Sequence, residues 1–175
     1  MPSPKDQLAE GDRAPEFTLP SHQGGTVSLA AFRGKHRVLL YFYPKDSMPG
    51  CTQEACDFRD LHPKILRSGA VVLGVSLDAL PSHTKFSSKF SLPFPLLSDP
   101  DATVSKQYGV YKQKSLYGRT FWGIERSTFL IDREGRIEKA FRKVKVNGHA
   151  REVLGLLEGS EEAPSPARKS RPKKV

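Results

Sequence analysis

The two cysteines of this 175-residue chain, Cys51 and Cys56, stand five positions apart in the stretch YFYPKDSMPGCTQEACDFRD. An apolar run ends at Pro44. Pro49 and Gly50 then suit a turn into a helix, and both cysteines fall on that helix. A thiol at a helix start meets free backbone N–H groups and the positive end of the helix dipole. Both favour the thiolate. Cys51 is therefore expected to ionise below the free-thiol pKa of ~8.5 and to act as a nucleophile.

Along an intact helix, five residues give ~7.5 Å of rise and ~140° of rotation, placing the two Cα atoms ~8.6 Å apart. A disulfide needs less than ~7 Å. The pair can bridge only if the first turns unwind, which argues for a reversible switch over a permanent staple. The alternative is two unrelated buried cysteines, since free cysteine is commonly buried. The spacing is not C-x-x-C, so exchange through that motif is not indicated. His22, His36, His62, His83 and His149 are scattered, with no ligand spacing to the cysteines. No metal or other cofactor is expected.

The elements that must position this pair follow from periodicity. Residues 17–29, FTLPSHQGGTVSL, predict an N-terminal hairpin turned by Gly24 and Gly25. RVLLYFY, residues 37–43, is apolar on both faces, as a central strand should be. A helix follows from about Gly50 to Arg67, with Phe58, Leu61, Ile65 and Leu66 on its apolar side. Residues 70–78 predict a second buried strand, residues 82–90 a short helix, residues 94–100 a short strand and residues 101–110 another short helix. Residues 127–132 and 136–144 predict two strands joined through Gly135, and residues 149–157 a closing helix. Strands alternating with helices imply an α/β fold, a mixed sheet with helices on both faces. The aromatic segment YGRTFW, residues 117–122, is open to two readings, a lip over the substrate or a cover for the core.

Composition sets the frame. A 37% hydrophobic fraction can build a core without disulfide staples. The expected domain spans residues 8–160, and residues 161–175 form a basic tail expected to be disordered. The net charge is +9, but residues 163–175 hold five Lys or Arg and no acid, and removing those five charges leaves +4. Such a tail predicts a weak contact with nucleic acid or, more plainly, a solubilising end. The longest apolar run is too short to span a bilayer, and the first residues lack a signal-peptide pattern. A cytoplasmic protein without membrane contact is expected.

The segment FYPKDSMPGCTQEACDFRD resembles the active-site segment of the peroxiredoxins, most closely the bacterioferritin comigratory protein or peroxiredoxin Q subgroup. GDRAPEFTLP near the start and GIERSTFLIDREGRI, residues 123–137, are similar to that subgroup's opening and downstream arginine segments. The resemblance implies a thioredoxin-like fold and thiol-dependent reduction of hydroperoxides. It implies that Cys51 is the peroxidatic cysteine and Cys56 the resolving one, joined in an intramolecular disulfide that a thioredoxin- or glutaredoxin-type dithiol reduces. Pro44 matches the proline that opens the active-site loop and shields the sulfur. Arg126 matches the arginine that stabilises the thiolate, and Glu54 a polar position that holds that arginine. Met48 departs from the pattern, because the family has Thr or Ser there to contact peroxide and sulfur. An intrachain pair needs no partner's cysteine, so a monomer suffices.

Two other readings remain open at this point. One is a redox-responsive protein whose basic tail engages nucleic acid. The other is a disulfide reductase, exchange protein or thiol–disulfide sensor with little peroxidase turnover, to which Met48 lends weight.

Overall fold

A computed structural model describes residues 8–159. The predicted hairpin forms as β1 (Thr18–Pro20) and β2 (Thr26–Ser28), antiparallel, with Gly24 and Gly25 at positive φ in the turn. β3 (Arg37–Phe42) is buried along its whole length. It leads through a short loop into α1 (Pro49–Arg67). β4 (Ala70–Ser76), α2 (Leu80–Phe90), β5 (Leu96–Ser98) and α3 (Thr103–Gln107) follow. Then come β6 (Tyr111–Leu116), β7 (Arg119–Ile124), β8 (Ser127–Ile131), β9 (Ile137–Arg142) and α4 (His149–Gly159).

The main sheet has the order β5-β4-β3-β8-β9. β3 pairs in parallel with β4 and antiparallel with β8, so the sheet is mixed, as expected. Side chains of β3 alternate between two cores, because successive residues of a strand face opposite ways. Leu39 and Tyr41, with Tyr43 just beyond the strand, pack among residues of α1, α2 and α4. Val38, Leu40 and Phe42 pack among α3, Tyr108 and the N-terminal hairpin. β3 therefore has no polar face, which is why its sequence shows no alternation. On α1, Phe58 and Ile65 are buried and Leu61 packs against them, but Leu66 is 48% exposed and lies off the predicted apolar side.

The β6–β7 hairpin has no counterpart among the predicted elements. It forms a separate two-stranded sheet, turning through Tyr117 and Gly118, both at positive φ. Phe121 and Trp122 are 45% and 56% exposed, so the core-cover reading of YGRTFW is overturned. Trp122 instead stacks on Tyr111 across the hairpin. The predicted basic tail lies outside the described residues.

Candidate active site

β3 delivers the chain to Tyr43 and the half-buried Pro44, and residues 45–48 form the loop into α1. Met48 is the residue immediately before the helix. Its carbonyl accepts the first helical bond, from Thr52 N at 2.8 Å, but its side chain caps nothing and is 39% exposed. Pro49 occupies the first turn, where its missing N–H costs no helical bond. Ser47 holds a positive φ of 70°.

Cys51 lies in the first turn of α1, buried at 1% exposure, and Cys56 lies half-buried further along the same helix. Both are free thiols, and α1 is unbroken across them. The structure therefore shows the arrangement in which the two cannot be bridged.

Arg126 comes from the short connection between β7 and β8, 75 positions beyond Cys51. Its backbone carbonyl is bound by Val144 N, and the neighbouring Glu125 N is bound to Val110 O. Its guanidinium faces two partners. Nη1 donates to Glu54 Oε1 at 2.6 Å, and Nη2 lies 3.4 Å from Cys51 Sγ. Gly50 permits this approach. Its φ is not positive, so its role is not the turn that the sequence suggested. A Cβ there would sit 3.3 Å from Arg126 Nη2.

Electrostatics corrects the expectation for Cys51. Burial pushes its thiol up from the ordinary value, while the Lys45 backbone N–H and the Arg126 guanidinium pull it down without overcoming burial. The helix start alone does not activate the sulfur in this dry setting; ionisation leans on those two opposing groups. Burial raises Glu54 to about 7, and Arg126 opposes it. The two partners respond in opposite senses. Burial works against the charge on Arg126, but Glu54 and Cys51 together more than restore it. Glu54 is sealed at 1% exposure, and its second oxygen, Oε2, has no hydrogen-bond partner, so one bond on Oε1 does not offset its burial.

The sequence-predicted residues thus divide. Cys51, Glu54 and Arg126 meet. Pro44 and Met48 flank the loop, with Met48 pointing no hydroxyl into it. Cys56 stands apart on the same helix. Sequence reasoning missed Lys114 on β6, whose ammonium is lowered by burial and by Arg126 and feels the charge of Cys51. It also missed Asp46, buried in the loop and paired with His83 of α2. Among the described residues, Asp46, Asp78 and His83 place potential metal-binding atoms within 4.8 Å of one another. Those atoms are already occupied: Asp46 Oδ2 and His83 Nδ1 are hydrogen-bonded to each other, and Asp78 Oδ2 accepts from Ser76 Oγ.

Comparison with known proteins gives the family. The AhpC/TSA family matches residues 10–140. Peroxiredoxin Bcp of Bacillus subtilis is 48% identical over 152 residues, covering 87% of this chain and 96% of the relative. Peroxiredoxin Bcp of Escherichia coli is 45% identical over 150 residues, covering 86% and 96%. Among solved structures, a cysteine-to-serine variant of PrxQ from Xylella fastidiosa superposes with a TM-score of 0.84 at 40% identity, covering 89% of this chain and 99% of that one. Peroxiredoxin Q of Xanthomonas campestris gives 0.79 at 44% identity, covering 83% and 92%. The solved neighbours share the thioredoxin-like fold, and the chain belongs to the AhpC/TSA family, in its Bcp or peroxiredoxin Q branch of thiol-dependent peroxidases.

Proposed function

We propose that Cys51 is the peroxidatic and Cys56 the resolving cysteine of a peroxidase acting on hydrogen peroxide and organic hydroperoxides. The observation that carries this reading is the Arg126 guanidinium held between Cys51 Sγ and Glu54. The Cys51 thiolate attacks one peroxide oxygen, and the O–O bond breaks. The other oxygen leaves with the bonding pair and takes up the proton lost by the thiol, as water or an alcohol. Arg126 faces the sulfur where this negative charge is redistributed, a placement suited to stabilising the transition state. Pro44 shields the sulfur from bulk water, and Glu54 holds Arg126 in place.

Cys51 is left as a sulfenic acid. Cys56 attacks its sulfur, water departs, and a Cys51–Cys56 disulfide forms once the start of α1 has unwound. A thioredoxin- or glutaredoxin-type dithiol then reduces it by exchange. The organic substrate class is supported by the Xanthomonas campestris relative, whose structures concern alkyl peroxide reduction. The domain so assigned is residues 8–160. Among the described residues no helix is long and apolar enough to cross a membrane, and a cytoplasmic location fits a thiol pair kept reduced by such dithiols. The basic residues 163–175 would add a weak nucleic-acid contact, tested by a gel shift that salt abolishes.

The intact mass after one equivalent of peroxide tests the assignment. Loss of two hydrogens is the expected result. Gain of one oxygen with no disulfide would remove Cys56 from the role. A second reading, a sensor with weak turnover, draws on Met48, which supplies no hydroxyl to the site. Multiple turnovers with a thioredoxin system exclude it.

A further inference from the structure

Of the seven exposed large hydrophobic residues among those described, four lie in the β6–β7 hairpin: Leu116, Tyr117, Phe121 and Trp122. β6 and β7 pack chiefly against each other, and residues 115–122 are all exposed. The base of the hairpin is fixed. Ile124 is buried, Tyr111 packs against the core on one side of β3, and Glu125 N donates to Val110 O at 2.8 Å. A firmly rooted hairpin thus carries an apolar tip into solvent.

The turn makes that exposure costly. Leu116 and Arg119 face each other across a two-residue turn in which Tyr117 and Gly118 hold positive φ, 54° and 76°. Such turns favour Asn, Asp or Gly. A bulky aromatic residue there is strained backbone. Tyr117 is 93% exposed, so no packing offsets the strain. Neither the turn nor the core accounts for its ring; a partner that takes the ring would.

Charge gives the sign of that partner. The hairpin carries Lys112, Lys114 and Arg119, and residues 111–124 hold no acid. None of the three cations forms an ion pair among the described residues. Residues opposite each other in the ladder share a face, so the three cations lie on one face with Leu116 and Phe121. Apolar side chains lead near the apex, and cations stand beside and behind them. A second copy seated on this patch would set like charges against each other. A nucleic-acid strand asks for a basic groove with free ring faces, whereas this tip projects and Trp122 is already stacked on Tyr111. An anionic bilayer fits both layers. Apolar side chains enter between the headgroups, and Lys and Arg pair with the phosphates.

We propose that the β6–β7 hairpin is a docking tip for anionic lipid bilayers, with Leu116, Tyr117 and Phe121 entering the headgroup layer. Trp122, on the other face and about 13 Å back from the apex, then stands at headgroup level, where Trp rings are favoured. Arg126 follows Arg119 by seven residues, so docking holds it within about 25 Å of the lipid surface. The contact is peripheral. A turn assembles the patch, so no long apolar run marks it in the sequence, and the expectation of a chain without membrane contact gives way to it.

Trp122 is the only tryptophan of the chain and reports from the tip. The full chain, reduced, is sedimented with vesicles of phosphatidylcholine, with and without phosphatidylglycerol. It should pellet with the anionic vesicles and hardly at all with the neutral ones, and Trp122 emission should move to the blue. Leu116→Ser combined with Tyr117→Asn should weaken partition about tenfold or more, since two apolar side chains no longer leave water. Asn suits the left-handed turn, so this variant should fold. Lys112→Gln combined with Arg119→Gln should weaken partition about tenfold at low salt. Wild-type protein that does not pellet overturns the proposal. Undiminished pelleting of the folded Leu116→Ser, Tyr117→Asn variant also overturns it and gives the contact to the basic residues 163–175. If that variant does not fold, undiminished pelleting of the Lys112→Gln, Arg119→Gln variant does so. A Trp122 shift produced by oligothymidylate but not by vesicles gives the tip to nucleic acid, and one produced by protein concentration alone gives it to a second copy; either overturns the proposal. None of these readings depends on peroxide turnover.

Discussion

Arg126 reaches the sulfur across the start of α1 because position 50 carries no side chain: a Cβ on Gly50 would lie 3.3 Å from Arg126 Nη2. Such a contact is tighter than normal packing, and the flexible guanidinium must give by a few tenths of an ångström. Nη2 already stands at 3.4 Å from Cys51 Sγ, near the outer reach of a useful charged contact. Gly50→Ala should therefore weaken this contact by about 1 kcal/mol, slowing Cys51 oxidation roughly fivefold. The same change should strengthen the helix, since Ala is favoured over Gly by about 1 kcal/mol. Stopped-flow oxidation and thermal unfolding should move in opposite directions. Loss of rate together with loss of stability would mean that the methyl group disrupts the fold and not the arginine.

Glu54 gives a pH signature. Burial raises it from 4.5 to about 7 in the folded chain. A carboxyl raised on folding binds its proton more tightly in the native state. Its stabilising effect is thus fully present below pH 4.5 and is lost as pH rises through about 7. The slope over that window should amount to about 3 kcal/mol. Glu54→Gln removes the titration, so its stability should be flatter between those two pH values. Denaturant unfolding at a series of pH values measures both slopes. Parallel slopes would show that the Arg126 pair keeps Glu54 ionised throughout.

Much of this site was legible in the sequence, and the limits have physical causes. The uninterrupted apolar run of β3 and the Pro-Gly entrance to α1 are local patterns, and they placed Cys51 in the first helical turn. Distance arguments along one helix also sufficed to separate Cys51 from Cys56. The β6–β7 hairpin escaped because KQKS and RT carry no apolar alternation; its turn depends on Tyr117 accepting a left-handed conformation before Gly118. The Asp46–His83 contact joins residues 37 positions apart on different elements, and no spacing rule reports that. The Cys51 thiol is pushed up, against the expectation, for a related reason. The sequence reveals the helix start but not the core that closes over it.

Oxidation should loosen the beginning of α1. The helix runs unbroken from Pro49 to Arg67 with both thiols free. Ideal geometry sets their Cα atoms ~8.6 Å apart, beyond the ~7 Å limit for a disulfide. Forming the bond must break backbone hydrogen bonds between residues 51 and 57, while the later turns, anchored by Phe58 and Ile65, stay packed. Amide exchange of the peroxide-treated chain should therefore quicken across residues 51–57 and remain slow around Ile65. Equal protection before and after formation of a verified Cys51–Cys56 disulfide contradicts this account.

Met48 bears on both halves of the cycle. It stands at the position before α1 where a hydroxyl or carboxylate side chain ordinarily accepts a bond from the first turn, and it makes none. Replacing it with Thr should cap the helix, worth about 1 kcal/mol, and should place a hydroxyl beside the loop that faces Cys51. A hydrogen bond strengthened in the transition state contributes on the order of 1–3 kcal/mol, so Met48→Thr should speed Cys51 oxidation by roughly tenfold or more. The same cap must be broken before α1 can unwind, so disulfide formation should slow about fivefold. The sulfenic acid then survives longer, and at high peroxide more of it should proceed to sulfinic acid. Stopped-flow traces separate the two steps, and intact mass reports the over-oxidised fraction. Faster oxidation with unchanged disulfide formation would show that Met48 affects only the chemistry at sulfur. Unchanged oxidation would show that the hydroxyl's place is already filled by Ser47 or by a backbone group of the loop.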